Sequence, residues 1–208
     1  MTRIYLFKRF ERFWHWSQAA LIIFMLLSGF EVHGTYKVFG WQQAANLHTT
    51  AAWALIVLWV FAIFWHLTTG EWRQYIPTTE KMLTVMRYYA FGIYDPTAHH
   101  PFRPTQLIKH NPLQRLAYLG VKLFINPLIW ISGLAYLYFH ELSAAGALAG
   151  VQLGSIALLH TLAAFLMLIF LIVHVYFATT GHTPLAHIKA MVRGWEEQED
   201  EVSPGQHS

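Results

Sequence analysis

The chain contains no cysteine. That excludes structural disulfides, protein-ligated iron–sulfur clusters and covalently attached c-type haem within it. It leaves b-type haem open, because that cofactor needs only axial histidines. Charge is also scarce: 12% of the 208 residues are Asp, Glu, Lys or Arg, against about 25% in soluble domains. The net charge of +3 is no nucleic-acid signature. No A-x-A cleavage site follows the first apolar run, so that run is expected to be an uncleaved membrane helix and not a signal peptide. No convincing internal repeat is present. What the chain has instead is 55% hydrophobic residues, 16% aromatics and nine Trp. This is the composition of a membrane protein, and one domain is the natural count.

Four apolar runs are long enough to cross a bilayer, which takes ~20 residues. They predict an all-α membrane protein, a four-helix transmembrane bundle with helices at about 12–32, 44–67, 113–139 and 151–176. Arg12-Phe13-Trp14-His15-Trp16 opens helix I as an interfacial aromatic belt with a histidine inside it. The polar segment from Thr68 to Pro112 is long for a loop, so a surface helix is expected within it, near Glu80 to Phe91. Pro127 predicts a kink in helix III. Residues 1–195 read as the domain and 196–208 as an acidic, disordered tail. The N-terminus, the helix II–III segment, the base of helix III and the tail hold 13 of the 14 Lys and Arg. Only Lys37 lies in the other loops. The expected topology therefore has both termini and the long middle segment cytoplasmic, in a bacterial inner membrane.

Helix IV holds only two ionisable groups, His160 and His174, fourteen residues apart. Helical geometry separates them by ~21 Å along the axis and places them within ~40° of one face. An imidazole inside a membrane needs a partner and is a functional candidate. A hydrogen bond to a neighbouring helix is the plain alternative. Two on one face, near opposite leaflets, predict ligands to two stacked haems. Sorted by depth, His15, His66 and His174 lie near the cytoplasmic side, and His33, His48, His140 and His160 near the outer side. His99, His100, His110, His182, His187 and His207 fall outside the membrane. The outer partner for His160 is then His48, with His33 and His140 as alternatives at or beyond helix ends. The inner partner for His174 is His15 or His66, and depth does not choose between them.

Phe13-Trp14-His15-Trp16 with Leu27-Ser28-Gly29, Asn46-Leu47-His48, His110-Asn111-Pro112-Leu113-Gln114-Arg115 and the His160–His174 helix form an ordered set. This set resembles the di-haem cytochrome b (gamma) subunits of membrane formate dehydrogenases, nickel–iron hydrogenases and thiosulfate reductases, over roughly the first 195 residues. The resemblance implies two haem b groups, the outer on His48 and His160, the inner on His15 and His174. It also implies a quinone site, for menaquinone or ubiquinone, at Asn111, Gln114 and His174. Transfer is weakest in the helix II–III segment and the tail.

Other residues carry competing readings. Gly29 and Gly133 fit either close approach of a porphyrin to backbone or ordinary small-residue packing. Arg12, Arg73 and His66 inside, and Lys37 and Trp41 outside, are candidates for haem propionates or plain interfacial anchors. Asn111-Pro112 also fits a helix N-cap with Pro in the first turn. Lys122 fits a propionate, a quinone oxygen or a snorkelling side chain.

The leading functional expectation is a membrane-anchor, electron-transfer subunit of a quinone-linked respiratory oxidoreductase. A periplasmic iron–sulfur or multihaem c-type subunit would exchange electrons with it, and a further subunit would hold the other substrate's catalytic site. A higher oligomer of such a complex is compatible with the sequence. The alternative is a stand-alone di-haem superoxide oxidase-like enzyme reducing quinone, although a single lysine in the outer loops gives little steering of an anion. A haem-free bundle is the third reading.

Overall fold

Ser28 on the first long helix and His48 on the second meet at one end of an antiparallel pair, and Phe10 stacks on Trp65 at the other. The computed structural model describes residues 2–92, 95, 101–106, 108–181 and 183–198. His99, His100, His182, His207 and the tail 199–208 lie outside the described residues. The element order is β1 (Thr2–Tyr5), α1 (Arg9–Val32), α2 (Trp41–Thr69), a 3-10 turn (Glu71–Tyr75), α3 (Met82–Ala90), α4 (Pro112–Gly120), a π turn (Val121–Ile125), α5 (Asn126–Leu137), α6 (Phe139–Ala144), α7 (Leu153–Ala178), α8 (Ala186–Arg193) and β2 (Trp195–Gln198). Four helical stretches are long and apolar enough to cross a membrane: Arg9–Val32, Trp41–Thr69, Pro112–Leu137 and Leu153–Ala178. They correspond to the four expected spans, and the expected surface helix appears as α3.

The described residues divide into two compact units. The first takes in those within Met1–Gln74, Phe102–Lys109 and Phe177–Ser208. Here α1 and α2 run antiparallel, since Trp59 Nε1 donates to Gln18 Oε1 between the two ends already named. The turn joining them is gathered by one carboxylate. Glu31 Oε1 accepts the backbone N–H groups of Val38, Phe39 and Gly40 at 2.8, 2.7 and 2.8 Å. Glu31 is 4% exposed, so a buried charge is neutralised by donors in place of a cation.

The same unit folds the chain ends together. β1 and β2 pair antiparallel, and Arg3 bridges to Glu197. The acidic segment expected to be disordered from Glu196 onward thus begins with a strand as far as Gln198; the pairing supplies backbone bonds that composition does not reveal. Gly194 accepts the N–H groups of Leu6 and Phe7 and sits at φ 89°. A Cβ there would stand 2.8 Å from the Phe7 carbonyl oxygen, so glycine is required by both conformation and space.

The second unit comprises the described residues of Tyr75–Pro101 and His110–Tyr176. α4 starts with Pro112 behind an Asn111 cap. Pro127 lacks the N–H that would bond back one turn. The helix answers with the π turn immediately before it, where Asn126 N–H reaches the Val121 carbonyl five residues back. The expected disturbance at Pro127 therefore takes the form of a widened turn.

Candidate functional site

His48 projects from α2 toward α1. Its Nδ1 lies 3.0 Å from Ser28 Oγ. Ser28 Oγ also lies 3.2 Å from the Met25 carbonyl of its own helix, so the hydroxyl sits between that carbonyl and the imidazole. Beside the ring, a Cβ added at Gly29 would stand 3.5 Å from Cε1.

His160 projects from α7 toward α5 in the same manner. Its Nδ1 lies 3.1 Å from the Ile129 carbonyl and 3.2 Å from Ser132 Oγ. A carbonyl can only accept, so this Nδ1 carries the proton and Nε2 the lone pair. Ser132 donates to the Leu128 carbonyl at 2.6 Å. A Cβ at Gly133 would stand 3.0 Å from His160 Cε1 and 3.3 Å from Nδ1. Both glycines thus face an imidazole edge, which makes their place more specific than general helix packing.

His15 and His174 are half-buried as well. His15 sits edge-on to Trp16, centroids 5.2 Å apart, and His174 stacks on Phe170 at 5.7 Å and 20°. His66 differs. It is 7% exposed, lies edge-on to both Trp14 and Trp65, and its Nδ1 reaches the Ala62 carbonyl of its own helix at 2.6 Å. Of the outer alternatives, His33 caps the C-terminus of α1 and His140 lies on α6, and both are exposed. The residues fit a b-type haem by donor chemistry: an imidazole whose Nδ1 donates to an acceptor presents a basic Nε2 to iron.

Asn111 and Gln114 form a reciprocal capping box. Gln114 N–H donates to Asn111 Oδ1 at 2.8 Å, and Asn111 N–H to Gln114 Oε1 at 3.0 Å. Asn111 Nδ2 reaches Tyr89 Oη at 3.4 Å, whose phenol burial keeps protonated above its ordinary range despite that bond. The cap reading of Asn111 therefore holds as a structural fact. Arg115 donates to the His110 and Ile76 carbonyls. His110 joins Tyr75 and Tyr118 in an aromatic group, and Lys122 Nζ lies 3.2 Å from the centroid of the Tyr75 ring. Among the propionate candidates, Arg12 donates to the Val192 carbonyl and Arg73 lies over Trp72.

Sequence reasoning missed a buried charge cluster. Lys109 Nζ contacts Glu11 Oε1 at 2.7 Å and Glu71 Oε2 at 3.0 Å, and Lys8 Nζ contacts Glu71 Oε1 at 2.5 Å. It ties the start of α1, the end of α2 and the segment before α4. Burial pushes the Glu71 carboxyl up, but the hydrogen bonds from Lys8 and Lys109 outweigh it and hold the group below its ordinary value. The sequence signal was the rarity of acids near apolar helices; their partners could not be read from it.

The family profile described as prokaryotic cytochrome b561 matches residues 6–194. A protein of Escherichia coli (strain K12), provisionally named cytochrome YdhU, is 32% identical over 200 residues, covering 93% of this chain and 74% of that one. No solved structure matches.

Proposed function

This chain belongs to the prokaryotic cytochrome b561 family of haem b-binding membrane cytochromes of electron transfer, and from that premise we propose that it is the membrane-anchor subunit of a quinone-linked respiratory oxidoreductase. Two haem b groups, when bound, supply one-electron carriers near the two membrane faces. His48 and His160 are the outer ligands and His15 and His174 the inner ones, the pairing that resemblance to di-haem gamma subunits implies. Asn111, Gln114 and His174 border the quinone, menaquinone or ubiquinone. A periplasmic iron–sulfur or c-type subunit exchanges electrons at the outer side, and a catalytic subunit carries the other substrate.

The observation that carries this reading is that His48 and His160, on different spans, each have Nδ1 engaged by a neighbouring helix, the arrangement that leaves Nε2 as the ligating nitrogen of a haem histidine. The choice of His15 over His66 as an inner ligand follows the resemblance to di-haem gamma subunits, since His66 too has its Nδ1 on a carbonyl, that of Ala62. The topology has support too. Strand pairing and the Lys109 cluster gather Thr2–Tyr5, the start of α1, Lys109 and Trp195–Gln198, segments close to many of the chain's Lys and Arg residues. The positive-inside rule favours a cytoplasmic place for these segments, and a bacterial inner membrane is part of the proposal.

The test is dithionite-reduced minus oxidised spectra with haem quantitation on detergent-purified protein. Two b haems per chain are expected, with one lost in His48→Ala and His160→Ala. A content of one haem or none in the wild-type protein rejects the reading. Co-purification of redox subunits in mild detergent, together with quinol-dependent haem reduction, tests the partner and the quinone.

A further inference from the structure

We infer that Ser28-Gly29 and Ser132-Gly133 are two copies of one positioning device: a Ser-Gly step in one membrane helix that seats a histidine of another, fixes its tautomer and tunes its strength as an axial ligand. The inference rests on the proposed ligation by His48 and His160 and adds to it the residues that control those ligands.

The two copies match in chemistry. Leu27-Ser28-Gly29-Phe30 lies on α1 and Ile131-Ser132-Gly133-Leu134 on α5. Both serines are buried, at 4% and 2% exposure. Each lies within hydrogen-bond reach of a carbonyl of its own helix, Ser28 of Met25 and Ser132 of Leu128. A histidine that ligates iron through Nε2 carries its proton on Nδ1, so each serine then donates to its carbonyl and accepts from the imidazole. Each meets an imidazole Nδ1, at 3.0 and 3.2 Å. The glycine that follows each serine lets the ring edge lie against helix backbone, at positions where a Cβ would stand 3.5 and 3.0 Å from Cε1. Glycine inside a helix costs about 1 kcal/mol against alanine; at Gly133 the imidazole edge at 3.0 Å supplies a local reason for it, whereas at Gly29 the 3.5 Å spacing would admit a methyl.

An imidazole that donates from Nδ1 is a stronger base at Nε2. A stronger axial donor favours ferric over ferrous iron and lowers the midpoint potential. Ser28 and Ser132 therefore hold down the potential of the haem their histidines ligate, while Gly133 sets the ring plane of His160.

The experiment is an equilibrium redox titration of purified full-length protein, followed at the α band, with haem quantitation. Ser28→Ala is expected to retain both haems and to shift one reduction equilibrium about tenfold toward the ferrous form, a rise of ~59 mV for one electron; Ser132→Ala, where the Ile129 carbonyl still accepts from His160 Nδ1, is expected to shift it in the same direction by less. Retained haem with an unchanged midpoint in both variants overturns the inference. Where alanine prevents folding, Ser→Cys keeps the shape with a far weaker acceptor and is read the same way: an upward shift supports, no shift overturns. Gly133→Ala is expected to alter the low-spin ferric g values, and Gly29→Ala, whose added methyl meets only ordinary contact, to leave them unchanged; the reverse order overturns the seating role. Failure of the underlying ligation is distinguishable, because His48→Ala and His160→Ala would then keep full haem content.

Discussion

Lys109 Nζ lies 2.7 Å from Glu11 Oε1, 98 positions earlier in the chain, and 3.0 Å from Glu71 Oε2. Its side chain is 3% exposed. Removing it leaves the Glu11 carboxylate buried without its ammonium and Glu71 with Lys8 alone, which costs about 3–5 kcal/mol for a broken buried pair. Lys109→Met is expected to lower the apparent Tm in detergent by an amount that surface Lys81→Met does not approach. Equal Tm values for the two variants would remove the cluster as a clamp.

The cluster also predicts a pH profile. Glu71 has a folded pKa below its ordinary 4.5, so its contribution is present above 4.5 and is lost as pH falls through the lower folded value. Lys8 is raised above 10.5, chiefly by its hydrogen bond to Glu71. Its contribution is present below 10.5 and is lost as pH rises through the raised value. Thermal stability should therefore be flat between these limits and fall on the acid side. Glu71→Gln should flatten the acid fall, and an unchanged acid limb in that variant would show that other carboxylates control it.

Asn111 carries a cap and a proposed quinone contact, and the two separate by substitution. Asn111→Ser keeps an N-cap oxygen, whereas Asn111→Ala loses it at about 1 kcal/mol. Both lose the amide donor. Quinol-dependent haem reduction is expected to slow in both variants with both haems present. Wild-type turnover in Asn111→Ser, with a Tm drop confined to Asn111→Ala, would leave Asn111 as a cap alone.

His66 and His15 make opposite predictions. His66→Ala should keep both haems and lose stability, by about 2 kcal/mol or more from the cavity between Trp14 and Trp65. His15→Ala should lose the inner haem. The α-band amplitude and haem content of the two variants decide between them, and loss of a haem in His66→Ala would reverse the assignment.

Glu31 organises the α1–α2 turn through three backbone donors. Hydrogen bonds from backbone N–H groups to a carboxylate are charge-assisted and stronger than neutral ones. Glu31→Ala should make residues 33–40 the first site of limited proteolysis, with Glu31→Gln intermediate. Equal cleavage rates in all three forms would show that the turn is held by other means.

Much of this fold is legible in the sequence because a membrane span is a one-dimensional signal. The four expected spans appear as Arg9–Val32, Trp41–Thr69, Pro112–Leu137 and Leu153–Ala178, and α3 appears within the polar segment. Pro127 announced a disturbed helix, though not that a π turn would absorb it. Ser28 and Ser132 were hidden, because a Ser-Gly step inside an apolar helix reads as small-residue packing. Glu11, Glu71 and Lys109 were hidden for a different reason: their partners lie tens of residues away, and charge pattern along a helix says nothing of contacts between segments.

By itself the sequence determined how many times the chain can cross a bilayer and that two imidazoles of one span lie within ~40° of one face, since both follow from residue type and a fixed ~1.5 Å, ~100° repeat. Only the tertiary structure decided which ring nitrogen of His48 and His160 faces a neighbouring helix and which acids neutralise Lys109. Those outcomes depend on the register between one helix and another, and no periodicity within a single helix encodes that register.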